Sequence, residues 1–208
     1  MRTIALMGAA VLAVVAPAAY AAPTIHFNAG SGATAPGTTV FQNFESYAPG
    51  ASIGTNAAIY SATALQAVRP GFGSTGNFAA VLGGGSYTVN FGPTNLFSFV
   101  LGSLDTYNTL TLKLADNSTV SYTGGQIIGG LAFASGSHTS PTSNGVVTFN
   151  ANGGPEIIGA TFTSLRDSFE VDNLARGVPE PATWALMILG FGAIGSVMRR
   201  RQRATVPA

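Results

Sequence analysis

The segment "NTLTLKL" (Asn108–Leu114) alternates strictly between apolar and polar side chains. Leu110, Leu112 and Leu114 point one way and Thr109, Thr111 and Lys113 the other, the period of a half-buried β-strand. Asp116-Asn117 then turns the chain into "STVSY" (118–122), which predicts a hairpin. Similar short runs recur on both sides. "TVFQNF" (39–44), "ALQAV" (64–68), "NFAAVL" (77–82), "SYTVNF" (86–91) and "LFSFVLG" (96–102) precede it. "GVVTFN" (145–150), "IIGATFTS" (157–164) and "SFEVDNLA" (168–175) follow. Turn residues separate them about every ten positions, and helix signals are nearly missing. The pattern predicts an all-β, jelly-roll-like sandwich of nine or ten strands over residues 39–176. The Gly- and Ser-rich stretch within 22–38 reads as a flexible lead-in, and "ASGSHTSPTSNG" (134–145) as a surface loop.

Both ends differ from this middle. Residues 1–21 carry one basic residue, Arg2, then the apolar run 4–16, then Ala19-Tyr20-Ala21. These are the three parts of a secretory signal peptide, with cleavage expected after Ala21. At the other end, residues 182–198 hold no charge. As a helix they reach about 25 Å at ~1.5 Å per residue, the short end of a membrane span. Trp184 suits one headgroup layer, and Arg199, Arg200, Arg201 and Arg203 suit the cytoplasmic side by the positive-inside rule. The expected topology is an exported domain tethered by its tail.

Residues 177–203 resemble the PEP-CTERM sorting signal of Gram-negative bacteria. The matching pieces are Pro179-Glu180-Pro181, Trp184-Ala185, the glycine-bearing apolar run and the terminal arginines, all within 177–203. The resemblance implies recognition at the inner membrane by an exosortase, a membrane transpeptidase, and release to the cell surface or extracellular matrix. The prolines fix φ and hold the chain extended, a form that a membrane-embedded enzyme can grip.

Composition narrows the role of the domain. Between the two end segments, four basic residues face seven acidic ones, a net charge of −3, which disfavours nucleic-acid binding. The chain has no cysteine, so disulfides and thiol chemistry are absent. "GFGSTG" (71–76) leads toward a strand rather than a helix, and "GFGAIG" (190–195) lies in the apolar tail, so neither reads as a nucleotide site. His26 and His138 lack metal-ligand spacing, and no Gly-x-Ser-x-Gly elbow presents a serine. Glu170 and Asp172 share a strand face, which reads as a solvated surface or ion site rather than the paired acids of a glycosidase. Tyr47, Tyr60, Tyr87, Tyr107 and Tyr122 are candidates for a sugar platform, although most sandwich tyrosines are half-buried.

Phe44-Glu45 near the first strand and Asp172-Asn173-Leu174 in the last also resemble carbohydrate-binding jelly rolls. That resemblance implies a structural Ca²⁺ between Glu45 and Asp172. The expected role is a structural or adhesive surface protein, not an enzyme, with a calcium-stabilised polysaccharide-binding module as the alternative and a glycoside hydrolase a distant third.

Overall fold

The computed structural model describes residues 21–32, 34–178, 186–192 and 199. Ten strands organise the domain. They are β1 (Thr24–Ala29), β2 (Thr38–Gln42), β3 (Ser52–Tyr60), β4 (Phe78–Thr94), β5 (Leu96–Gly102), β6 (Asn108–Leu114), β7 (Thr119–Thr123), β8 (Gly145–Asn150), β9 (Ile157–Ser164) and β10 (Phe169–Gly177). All pairings are antiparallel. The ladder runs β1-β8-β5-β10-β4-β9-β6-β7, with β2 beside β10 and β3 beside β4.

This ladder closes over itself. β8 and β7 are six strand spacings apart along it, about 29 Å if the sheet were flat. Yet the rings of Tyr122 on β7 and Phe149 on β8 lie 5.1 Å apart. Phe99 on β5 meets Phe162 on β9 edge to face at 5.2 Å. The two halves therefore stack face to face as a sandwich. Phe162 also touches Phe169 at 5.4 Å and Tyr87 at 6.0 Å, which puts it at the centre of the core. The alternation on β6 is as expected: Leu110, Leu112 and Leu114 are buried, and Thr109, Thr111 and Lys113 face outward.

Three local readings change. The runs 77–82 and 86–91 form one seventeen-residue strand, β4. It bends at residues 83–85, so its first part pairs with β3 and β10 and its second with β9. The run 64–68 is not a strand. Apart from one bridge between Ala64 and Ala67 it is loop. Its apolar content is explained by burial, since Ala67 packs with Phe78 and Ala80 on the outside of the sheet. Residues 24–29, inside the stretch read as a lead-in, form β1 and pair with β8 along its whole length. The chain then runs over the outer face, where Ala35 packs on Val100 and Val146.

The register also fixes where the ends lie. Thr24 pairs with Asn150, Asn150 with Leu96, and a Cβ on Gly177 would lie 3.2 Å from that of Leu96. The first strand starts and the last strand finishes at one pole, about 14 Å apart across three strand spacings. The loop 103–107 and the β9–β10 turn lie at the opposite pole. Of the apolar span expected at 182–198, residues 186–192 are described and are helical. Among the described residues no helix is long and apolar enough to cross a membrane. The signal peptide through residue 20 lies outside the described residues.

Replacing Phe162 by Ala empties the centre of the sandwich. The expected cost is about 3–5 kcal/mol, read as a lower denaturant midpoint for the domain. A loss under ~1 kcal/mol would mean that the two halves do not pack through this ring.

Candidate functional site

Two clusters of polar groups sit where the loop 61–77 crosses the outer face of β10. Glu170 and Asp172 point to this face together while Phe169 and Val171 enter the core, as the strand period requires. The face is not solvated, however. Both carboxylates are 1 % exposed, because the loop covers them. Periodicity assigns a face but cannot see a loop folded over it.

Glu170 is fully engaged. Its Oε1 accepts the Val68 N–H at 3.0 Å and the Ser168 hydroxyl, and its Oε2 accepts the Ser103 hydroxyl at 2.6 Å. Ser103 also donates its N–H to Asn144 Oδ1 at 2.9 Å, and Gly71 donates to the same oxygen at 3.2 Å. The Asn144 amide nitrogen donates to the carbonyls of Ser137 and Ser140 at 2.7 and 3.0 Å. Glu170, Ser103 and Asn144 thus tie the covering loop, the β5–β6 loop and the 134–145 loop to one strand. Sequence reasoning missed Asn144. Its one local signal was a place beside Gly145 at the end of a polar loop.

Asp172 is different. Its Oδ1 accepts the Asn173 N–H at 2.7 Å, but Oδ2 is buried with no hydrogen-bond partner. Glu45 approaches this group from the chain after β2. Phe44 adopts a left-handed φ of 62° and drops its ring into the core, and Glu45 turns outward with Oε1 accepting the Asn77 N–H at 2.8 Å. Gly76 makes room: a Cβ there would sit 2.0 Å from Glu45 Oε1. Gly73 is equally constrained, with φ 69° and a Cβ position 2.1 Å from Gly32 Cα. The glycines of 71–76 therefore serve close packing of loops and a carboxylate. Arg69 borders the cluster, donating to Ser74 Oγ at 3.4 Å and lying 5.0 Å over the Phe78 ring.

Burial raises the Asp172 carboxyl from the usual 3.8 to about 6. The Ser74 hydroxyl and the Asn173 N–H pull it down, the Glu45 charge pushes it up, and Arg69 lowers it. Burial also raises Glu170, against the pull of its three donors.

The cluster supplies oxygen donors of the kind Ca²⁺ takes: one unpaired carboxylate oxygen, a second carboxylate nearby and a hydroxyl. Among the described residues no three His, Cys, Asp or Glu side chains converge, so any further ligands are carbonyls or water. His26 lies on β1 and His138 in the 134–145 loop. The tyrosines do not form one platform. Tyr87 and Tyr122 are core residues, 5 % and 9 % exposed, and Tyr60 stacks on Phe78.

The outer face of β4-β9-β6-β7 is instead a lattice of hydroxyls. Ser86, Thr163, Thr109 and Thr123 form one row across it, and Thr88, Thr161, Thr111 and Ser121 the next. Neighbouring hydroxyls bond at 2.9 Å between Thr88 and Thr161 and at 2.8 Å between Thr111 and Ser121. All eight side chains reach solvent.

At the tail, β10 ends at Gly177, and the exposed helical segment 186–192 holds Leu186, Met187, Ile188, Leu189 and Phe191 away from the domain. Pro179, Glu180, Pro181, Trp184, Ala185, Arg200, Arg201, Arg203 and Ala19 lie outside the described residues. Ala21 precedes β1, and Arg199 is helical and exposed. A family model for the PEP-CTERM protein-sorting motif matches residues 177–202. The chain therefore carries a PEP-CTERM sorting signal behind an all-β domain. No curated protein matches the chain.

The raised carboxyls reverse the usual acid response. The folded state holds its proton on Asp172 up to about pH 6, whereas the unfolded state loses it near 3.8. Between those values the folded state binds more protons, so stability falls as pH rises. With chelator present, the melting temperature should climb from pH 7 to pH 5, a gain of about 1 kcal/mol, with the full effect of about 3 kcal/mol reached only below pH 3.8. Asp172→Asn should stabilise the domain at pH 7 and flatten the slope. A melting temperature that drops over this interval in the wild type would contradict the assignment.

Proposed function

We propose that the protein is exported, held at the inner membrane by residues 182–198 as a transmembrane helix, and processed by an exosortase at the cell surface. The domain, which we take as a jelly-roll-like sandwich, is the delivered cargo, with a structural or adhesive role in the extracellular matrix. The observation that carries this reading is the match of the sorting motif to 177–202, which begins at the final residue of the last strand. The apolar side chains of 186–192 support it, since five large hydrophobic groups that stand exposed among the described residues suit a lipid environment. Pro179, Glu180, Pro181, Trp184 and Ala185 are the residues read by the enzyme, Arg199 to Arg201 and Arg203 fix orientation, and Ala19 and Ala21 direct signal-peptide cleavage. Glu180→Ala should leave full-length, membrane-bound protein, seen as loss of the shorter extracellular form on immunoblots. Normal amounts of the shorter form would defeat this reading.

A second reading, a neutral-polysaccharide-binding module, is favoured by the hydroxyl lattice. Eight Ser and Thr hydroxyls, with Lys113 the next outward side chain on β6, suit a hydroxyl-rich polymer that need carry no charge. Pull-down on insoluble neutral polysaccharide should retain the domain and should weaken at least fivefold in Thr111→Glu/Thr161→Glu. Equal retention of the variant rejects the face.

The unpaired Asp172 oxygen supports Ca²⁺ as a structural ligand with Glu45. At a hundredfold excess over the dissociation constant, binding adds about 2.7 kcal/mol. Millimolar Ca²⁺ should therefore raise the melting temperature by several degrees in the wild type and not in Asp172→Asn. An equal shift in both would rule out Asp172 as a ligand.

A further inference from the structure

The sorting signal has no linker in front of it. The matched segment starts at residue 177, and residue 177 is still in the sheet. Ala175, Arg176 and Gly177 pair with Val40, Thr39 and Thr38 on β2, while Arg176 also faces Phe97 on β5. Gly177 donates its N–H to Thr94 Oγ1 at 3.0 Å, and Val178 donates to the Gly37 carbonyl at 3.1 Å. A Cβ on Gly177 would lie 3.0 Å from that hydroxyl, so the strand end is packed as well as bonded. Two residues upstream, Ala175 and Leu174 are fully buried.

A peptide-cleaving enzyme takes its substrate as an extended strand and fills its own hydrogen bonds with the substrate backbone. The backbone of 175–177 is already held from both sides, and Val178 is held from one by its bond to Gly37. We propose that the end of β10, clamped by Gly37, Thr38 and Thr94, sets the upstream limit of processing, so that the bond cut lies C-terminal to Val178. The mature domain then keeps its last strand whole. In the reaction the C–N bond breaks, water or an acceptor amine takes the acyl carbon, and the departing tail leaves with a new amino group. Resting on the processing reading above, the inference adds that the fold, and not the motif alone, decides where and how fast the cut is made.

Slack between domain and motif should relieve the clamp. The experiment uses the full chain expressed in an exporting, exosortase-bearing host, with and without eight Gly/Ser residues inserted between Val178 and Pro179. Intact mass and C-terminal peptide mapping of the extracellular form locate the cut, and pulse–chase gives its rate. The wild-type mature chain should end at residue 178 or later, and the insertion should speed processing at least fivefold with the cut still in the motif. A wild-type terminus before 178, or an unchanged rate on insertion, overturns the clamp while leaving exosortase processing intact. If no shortened form appears from the wild type, the processing reading itself fails.

Discussion

The architecture depends on one buried carboxylate. Glu170 is 1 % exposed and collects donors from the covering loop, from the β5–β6 loop and from the β9–β10 turn. A lone buried carboxylate is costly unless its lone pairs are filled. Here the filling is done by loops that have no hydrophobic core of their own. Through Ser103 the network reaches Asn144, whose four side-chain hydrogen bonds add the 134–145 loop to the other two. In a cysteine-free chain these polar ties do the work that disulfides do in other exported domains. They also explain why Ala35 and Ala67, far from the main core, are buried on the outer face.

The sandwich was legible where side chains alternate. Leu110, Leu112 and Leu114, or the apolar run of β5, could point only to a buried sheet, and the turn at Asp116-Asn117 fixed the hairpin. What stayed hidden was everything decided by long-range cover. Residues 64–68 have strand-like composition but bury their alanine against the outside of the sheet. β1 has the right alternation, Ile25 and Phe27 inward, but its glycine-rich sequel masked it. The burial of Glu170 and Asp172 was not legible, since a strand period says nothing about a loop 100 residues upstream. Asn144 was invisible because a polar loop residue and a buried four-bond hub look alike in sequence.

The two ends of the domain give the delivered object a direction. The first strand starts and the last strand finishes at one pole, and the sorting signal begins inside β10. In the proposed topology that pole faces the membrane. The β5–β6 loop and the β9–β10 turn then project outward, and the hydroxyl lattice runs along the side. The last backbone bond of this end, from Val178 to Gly37, lies one residue before Pro179.

The central claim is that the sandwich folds outside while the arginines remain inside. The absence of native cysteine makes this directly readable with single introduced thiols. Thr111→Cys and Ala204→Cys would each be treated, in cells with a permeabilised outer membrane, with a maleimide that cannot cross the inner membrane. Processing is blocked by Glu180→Ala. The account predicts rapid labelling at 111 and protection at 204 until the inner membrane is disrupted; labelling at 204 with protection at 111 would contradict it.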